Sequence, residues 1–306
     1  MGLHISNAPF IYNKDTTRSL MLDVILALLP TTLAGIFFFG LGALLHVLVG
    51  TASAMLAEYA YQKLTHKPVR IRDCSAALTG MLLALNMPVS APLWVTLIGS
   101  AVAIVLVKEL FGGIGDNFMN PALTARAILM ASWPVAMTAY TQPVFSLGLQ
   151  ADAVSSATVL HGLSATPLQM FLGFIPGTIG EVSKAAILIG FLYLLLKGVI
   201  TWHIPVIYVG SYALLALALG NNVLNGVLSG GMLFGAVFMA TDYVTNPMTR
   251  RGQVIFAVGC GVFTCLIRNF SSYPEGVTFA ILLMNIATPL IDKYVKGARV
   301  YGKGKK

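Results

Sequence analysis

Between residues 151 and 169 the chain reads ADAVSSATVLHGLSATPLQ, in which Ser-Ala-Thr occurs twice, ending at Thr158 and at Thr166. A threonine hydroxyl serves as nucleophile, as hydrogen-bond donor or as a site of covalent modification. Thr158 stands six residues after the carboxylate of Asp152 and follows Ser155, Ser156 and Ala157, which are small enough to let another protein grip the backbone. No His or Lys base adjoins it, and His161 is three residues on, so modification by an outside enzyme fits better than self-catalysis. An ordinary polar loop is the alternative.

Other residues offer less. FGGIGDN, at 111–117, has the glycines to cradle a phosphate but lacks a preceding strand and the full dinucleotide pattern, so a tight turn and close helix packing are expected. Asp-x-x-x-Asn-Pro occurs at Asp116 and again at Asp242, which suggests duplication. Cys74 stands alone, and Cys260 and Cys265 lie five apart on one apolar segment, on different helical faces, so buried thiols are expected rather than a disulfide or metal pair. No metal site is predicted. Ionisable residues inside the apolar segments are few: Asp23, Glu58, Lys108, Glu109, Arg126, Arg268 and Asp292. Most lie within a turn or two of a segment end, where they can snorkel, and Arg126 and Asp23 are the ones to test.

The elements that must position these residues follow from composition. Of 306 residues, 57% are hydrophobic and 10% charged, and the mean hydropathy is +0.82. That leaves too little polar surface to coat a soluble globule. Apolar runs of helix-spanning length recur, and the short alternating segments of a β-barrel do not, so the expected fold is an all-α, polytopic membrane helical bundle. About ten spans are predicted, at 20–40, 41–61, 75–87, 92–110, 120–139, 182–197, 202–219, 223–240, 252–268 and 275–292. The third and eighth are short or interrupted by Gly and Pro. The polar first nineteen residues show no cleavable signal, and the first span is expected to direct its own insertion.

Cytoplasmic loops collect Lys and Arg. With the amino terminus inside, seventeen basic residues fall on the cytoplasmic side, and only Lys184 and Arg268 on the other. The net charge of +8 is therefore a topology signal rather than a nucleic-acid surface. Both termini are predicted to be cytoplasmic, with 1–139 a first membrane half, 140–181 an extracytoplasmic loop, and 182–306 a second half with a basic tail. The loop is unusually long for a tightly wound chain, which makes it a functional candidate by length alone.

DAVSSAT resembles the Asp-x-x-Ser/Thr-x-Ala-Thr signature at which a flavin transferase attaches FMN through its phosphate in the NqrB/RnfD family of ion-pumping redox complexes. FGGIGDNFMNPALTARAIL (111–129), FLGFIPGTIGE (171–181), FMATDYVTNPMTRRGQVIF (238–256) and YPEGVTFAILLMNIATPLID (273–292) resemble the RnfD members in the same order, so the resemblance runs along nearly the whole chain. It implies a prokaryotic cell-membrane protein with urea-transporter-like paired repeats. It also implies a phosphoester-linked FMN on Thr158, with Asp152, Ser155, Ser156 and Ala157 read by the transferase, and leaves room for riboflavin or a second flavin. Implied partners are the other Rnf subunits (A, B, C, E and G), the flavin transferase and membrane lipid. The implied role is electron relay between ferredoxin and NAD⁺ coupled to Na⁺ or H⁺ movement. GFIPGTIGEVS (173–183) would either help wrap the flavin or simply turn the chain.

Thr158 is favoured over Thr166 because Leu160, not an acid, stands six before Thr166. Against it, the family continues Ala-Thr-Pro-Leu, and here Thr166 is the one that precedes Pro167 and Leu168. Two alternatives stay open. One is a flavin-free secondary transporter or channel, which broken spans also suit. The other is the NqrB member of the family, from the related NADH:quinone reductase, which typically has a longer amino-terminal segment.

Overall fold

The computed structural model describes residues 16–143, 165–271 and 276–295. Helices stand at every predicted apolar segment, and the described residues contain no strand. They are α1 (Thr17–Phe39), α2 (Leu41–Leu64), α3 (Ser75–Leu85), α4 (Leu93–Val102, continued in π geometry by Ala103–Glu109), α5 (Pro121–Ser132) and α6 (Pro134–Thr138). After these come α7 (Pro167–Leu172), α8 (Lys184–Leu196), α9 (His203–Ala218), α10 (Val223–Leu228), α11 (Met232–Phe234, continued in π geometry by Gly235–Met239), α12 (Arg250–Phe270) and α13 (Val277–Tyr294). Four of them, α1, α2, α12 and α13, are long and apolar enough to cross a membrane.

Local chemistry sets the helix starts. Thr16 and Ser19 form a reciprocal capping box on α1, and the Asn120 side chain accepts from Leu123 N–H to start α5 at Pro121, where a missing N–H costs nothing. The predicted third span breaks because α3 ends after eleven residues, about half a hydrocarbon core at 1.5 Å per residue. The Pro-rich stretch 86–92 follows. The eighth breaks at Ser229–Gly231, where Gly230 takes a φ of 64°.

Each broken segment lies beside a pair of parallel helices. His46 Nδ1 bonds Thr96 Oγ1 at 2.7 Å and Lys108 Nζ bonds Glu58 Oε1 at 2.6 Å, so α2 and α4 run side by side at a constant offset of fifty residues. In the second half His203 bonds Gln253 at 2.7 Å and Tyr208 bonds Thr264 at 2.7 Å, which aligns α9 with α12 in the same sense. α3 crosses α2 at Gly80, where an added Cβ would collide with the Gly50 carbonyl and the Ala54 methyl. The halves meet where α1 packs on α8, with Gly190 against the Ala27 backbone. Tyr193 donates to Asp23 at 2.8 Å, with Lys197 3.9 Å away.

The cysteines are free thiols, with Cys260 and Cys265 buried. The two exceptions to the charge pattern also acquire a reason: Lys184 and Arg268 are interior clamps rather than loop charges. Lys184 is fully buried and donates to the carbonyls of Glu181 and Gly230. Arg268 donates to the carbonyls of Gly226 at 2.6 Å and Ser229 at 3.4 Å, and stacks over the Tyr212 ring. Two cations thus meet the exposed carbonyl end of α10, where both the helix dipole and the unbonded carbonyls favour them.

Candidate functional site

Asp152, Ser155, Ser156, Ala157 and Thr158 lie outside the described residues. Thr166 lies inside them and has a local task. Its Oγ1 accepts from Gln169 N–H at 3.4 Å while the Gln169 side chain accepts from Thr166 N–H at 3.0 Å, a capping box that starts α7. Pro167 at the first helical position completes that start. The Ala-Thr-Pro-Leu continuation is thus explained here by helix initiation.

After α7 the chain enters the interior. Gly173 adopts φ of 116°, and Ile175 through Ser183 are buried. Ile179 N–H donates to the Met87 carbonyl at 3.1 Å and Gly180 N–H to the Leu85 carbonyl at 2.7 Å. Ile179 packs on Gly35, and Gly180 lies against Leu85 and Phe234, so neither glycine can carry a side chain without displacing its neighbour. The segment therefore satisfies the carbonyls exposed by the early end of α3, which irregular backbone inside a membrane bundle requires. The other side of the same break is held by Arg126, which donates to Asn86 Oδ1 at 2.6 Å, while Asn86 Nδ2 donates to the Leu82 carbonyl at 2.7 Å. Arg126 is thus a structural clamp at α3, and Asp23 an α1–α8 contact.

The end of the bundle where α1, α3, α4, α5 and α11 meet holds a partly open cavity of about 90 Å³. Its walls are aliphatic, with Leu20, Leu78 and Val237 among them, and its polar groups include Asn117, Asn120, Thr241 and Asp242. Both Asp-x-x-x-Asn-Pro motifs reach this one cavity, the first through Asn117 and Asn120, the second through Asp242. Their resemblance to each other thus matches a shared site. Asn120 Nδ2 also reaches the Met239 carbonyl at 3.5 Å, tying the first motif to the end of the π stretch that follows α11. Half-buried Asp242 accepts from Val244 N–H and Thr245 Oγ1; desolvation pushes its carboxyl above the usual range, and these bonds oppose the shift.

FGGIGDN forms the turn expected of it: Gly112, Gly113 and Gly115 all have positive φ, and Gly112 lies against the Asp116 carboxylate. Beside this turn a second, polar and partly open cavity of about 90 Å³ is lined by Glu58, Gln62, Lys67, Arg70, Asp73 and Glu109. Glu58 is 1% exposed and Lys108 3%, and Lys108 Nζ bonds Ser75 Oγ at 2.6 Å as well as Glu58. Among the described residues no group of three or more His, Cys, Asp or Glu is arranged to hold a metal ion.

Sequence reasoning named Glu58, Lys108 and Arg126 singly but missed their partners. The available signal was the equal spacing of Glu58–Lys108 and His46–Thr96, which becomes informative only once α2 and α4 are known to be parallel. The burial of Lys184 had no such signal.

Residues 4–302 match the NQR2, RnfD, RnfE family. The chain is 45% identical to the D subunit of the Na⁺-translocating ferredoxin:NAD⁺ oxidoreductase complex of Acetobacterium woodii, over 99% of this chain and 96% of that one. It is 42% identical to the D subunit of the proton-translocating ferredoxin:NAD⁺ oxidoreductase complex of Clostridium ljungdahlii, over 95% and 94%. To the D subunit of the ion-translocating oxidoreductase complex of Stutzerimonas stutzeri it is 40% identical, over 95% and 93%.

Proposed function

The chain belongs to the NQR2, RnfD, RnfE family, and from that membership we propose that it is the membrane-embedded D subunit of a ferredoxin:NAD⁺ oxidoreductase complex whose electron transfer drives cation translocation. The observation that carries this is end-to-end similarity to two D subunits of that name, at 45% and 42% identity. No ferredoxin or NAD⁺ chemistry is assigned to this chain, which works as one of several subunits. Relatives named for Na⁺ and for protons are nearly equally similar, so the coupled cation is one of these two.

FMN is proposed on Thr158 through a phosphoester, attached by a flavin transferase that reads Asp152, Ser155, Ser156 and Ala157. Two facts support Thr158: the acid six residues before it, and the use of the Thr166 hydroxyl as a helix cap. When bound, the flavin supplies an electron-carrying ring. The protein supplies its footing. The 173–183 segment, pinned to Leu85 and Met87, anchors one end of the flavin loop to the break in α3. A second, noncovalent flavin is proposed in the apolar cavity, whose aliphatic walls suit the faces of a planar ring and which Asn117 and Thr241 line with polar groups.

The proposed setting is a prokaryotic cell membrane crossed ten times in two inverted halves, as in a urea-transporter-like fold. The basic end would face the cytoplasm and the flavin loop the outside. The recurrence of a parallel pair beside a broken helix in both halves supports the repeat. Purified complex run on a denaturing gel should show ultraviolet flavin fluorescence on this chain. Absence of that signal in complex that still transfers electrons would defeat the covalent flavin and favour a flavin-free transporter-like role.

A further inference from the structure

Lys108 stands in the wall between two cavities. It lines the apolar one together with Ser75, whereas Glu58 lines the polar one, and Ile114 borders both. Its ammonium bonds one lining group of each cavity, Ser75 Oγ at 2.6 Å and Glu58 Oε1 at 2.6 Å. The residue belongs to the π-helical stretch Ala103–Glu109, a geometry that re-aims side chains and recurs at functional sites.

The surroundings make this pair responsive. Glu58 Oε2 is buried and has no hydrogen-bond partner among the described residues, so the carboxylate depends on Lys108 for its compensation. Gln62, Lys67, Asp73 and Glu109 around the polar cavity have partners of their own, and the exposed Arg70 guanidinium lies at its rim. Gln62 donates to Glu109 at 3.0 Å and accepts from Arg70 N–H at 2.9 Å. Lys67 donates to the Glu109 carbonyl, and Asp73 accepts twice from Ser75. Because Glu58 and Lys108 are themselves almost wholly buried, one added charge in the apolar cavity acts on Lys108 more strongly than it would in bulk solvent.

We propose that Lys108 is a charge relay between the cavities: it shifts from Glu58 toward an occupant of the apolar cavity that has gained negative charge, and Glu58 is then neutralised by one monovalent cation entering through the polar cavity. This rests on the proposal that the apolar cavity takes a noncovalent flavin. No bond is made or broken at Nζ. Two electrons from the complex's own electron chain, taken up with one proton, add one negative charge on one side of the wall. One cation admitted on the other side, Na⁺ or H⁺, balances it, and reoxidation releases both.

The test is a spectroscopic redox titration of the noncovalent flavin in the purified complex, varying Na⁺ at fixed pH and then pH at low Na⁺. In wild-type complex the midpoint potential should rise with the concentration of the coupled cation, and the arm that responds identifies it, provided that the pH arm departs from the slope of the ring's own proton uptake. Lys108→Met should lower the potential and abolish the dependence on that cation, while Lys108→Arg, which keeps the charge, should retain part of both. The double variant Glu58→Gln/Lys108→Met removes both charges together and leaves no buried ion unpaired. It should assemble and also lose the cation dependence. Wild-type potential and cation dependence in assembled Lys108→Met or double-variant complex would overturn the relay while leaving the flavin site intact. Absence of extractable flavin from wild-type complex beyond the covalent one would instead overturn the occupant, and the relay with it.

Discussion

At the scale of single residues, the two threonines of the Ser-Ala-Thr repeats are proposed to have different work. A phosphoester needs the hydroxyl, and valine keeps the shape without it, so Thr158→Val should abolish gel fluorescence. Thr166→Val should keep the fluorescence and fray α7, at the roughly 0.5–2 kcal/mol of a lost cap, read as a lower melting temperature of the complex. Peptide mass spectrometry decides directly: FMN mass on Thr166 with Thr158 bare would reverse the assignment. Asp152→Leu should reduce flavin loading by removing the acid that the transferase is proposed to read. Arg268 gives a contrasting case in which charge serves structure. Arg268→Met takes donors from the Gly226 and Ser229 carbonyls, and each buried acceptor left unsatisfied costs about 1–3 kcal/mol. Loss of thermal stability with covalent flavin unchanged is the expected outcome.

At the scale of elements, the two broken helices organise the bundle. Each leaves backbone carbonyls in an interior that offers no bulk water, and each is answered from elsewhere in the chain. Gly180 N–H and Ile179 N–H answer at α3; Lys184 and Arg268 answer at α10. The close crossing of α3 on α2 depends on glycine at position 80, because any Cβ there meets the Gly50 backbone. Gly80→Val should therefore push the helices apart and destabilise the fold by more than the roughly 1–3 kcal/mol typical of overpacking, since backbone cannot rotate away as a side chain can. Reduced yield of assembled complex, measured by size-exclusion chromatography, checks it. Gly113→Ala is the control: no atom stands within 4 Å of an added Cβ there, so its cost comes from the positive φ alone.

At the scale of the whole molecule, Lys67, Arg70 and Lys108 line the two cavities, and the loop proposed to carry the flavin leads into α7 at Thr166. If the end that holds the cavities is cytoplasmic, single cysteines introduced at residue 68 and in the tail after Lys293 should resist an impermeant thiol reagent applied to intact cells, while one near Gln150 should react. The reverse pattern would invert the orientation and put the flavin on the cytoplasmic face.

The membrane character, the positions of the helices and the two interruptions were legible in the sequence because they depend on local quantities: hydropathy over a span, the fixed φ of proline, the freedom of glycine. The resemblance to known redox proteins was legible for a similar reason, since its motifs are short and contiguous. What only the tertiary structure decided were encounters between residues far apart in the chain. Lys108 and Glu58 are fifty residues apart and become partners only because α2 and α4 run parallel. Asn117 and Asp242 share a cavity because the segments before α5 and after α11 come together at one end of the bundle. Lys184 and Arg268, which look like misplaced loop charges in one dimension, are placed by three-dimensional packing beside the carbonyls of a helix that stops inside the protein. Hydropathy and propensity act along the chain, whereas the cost of a buried unpaired charge or carbonyl is met by whatever the fold brings near it.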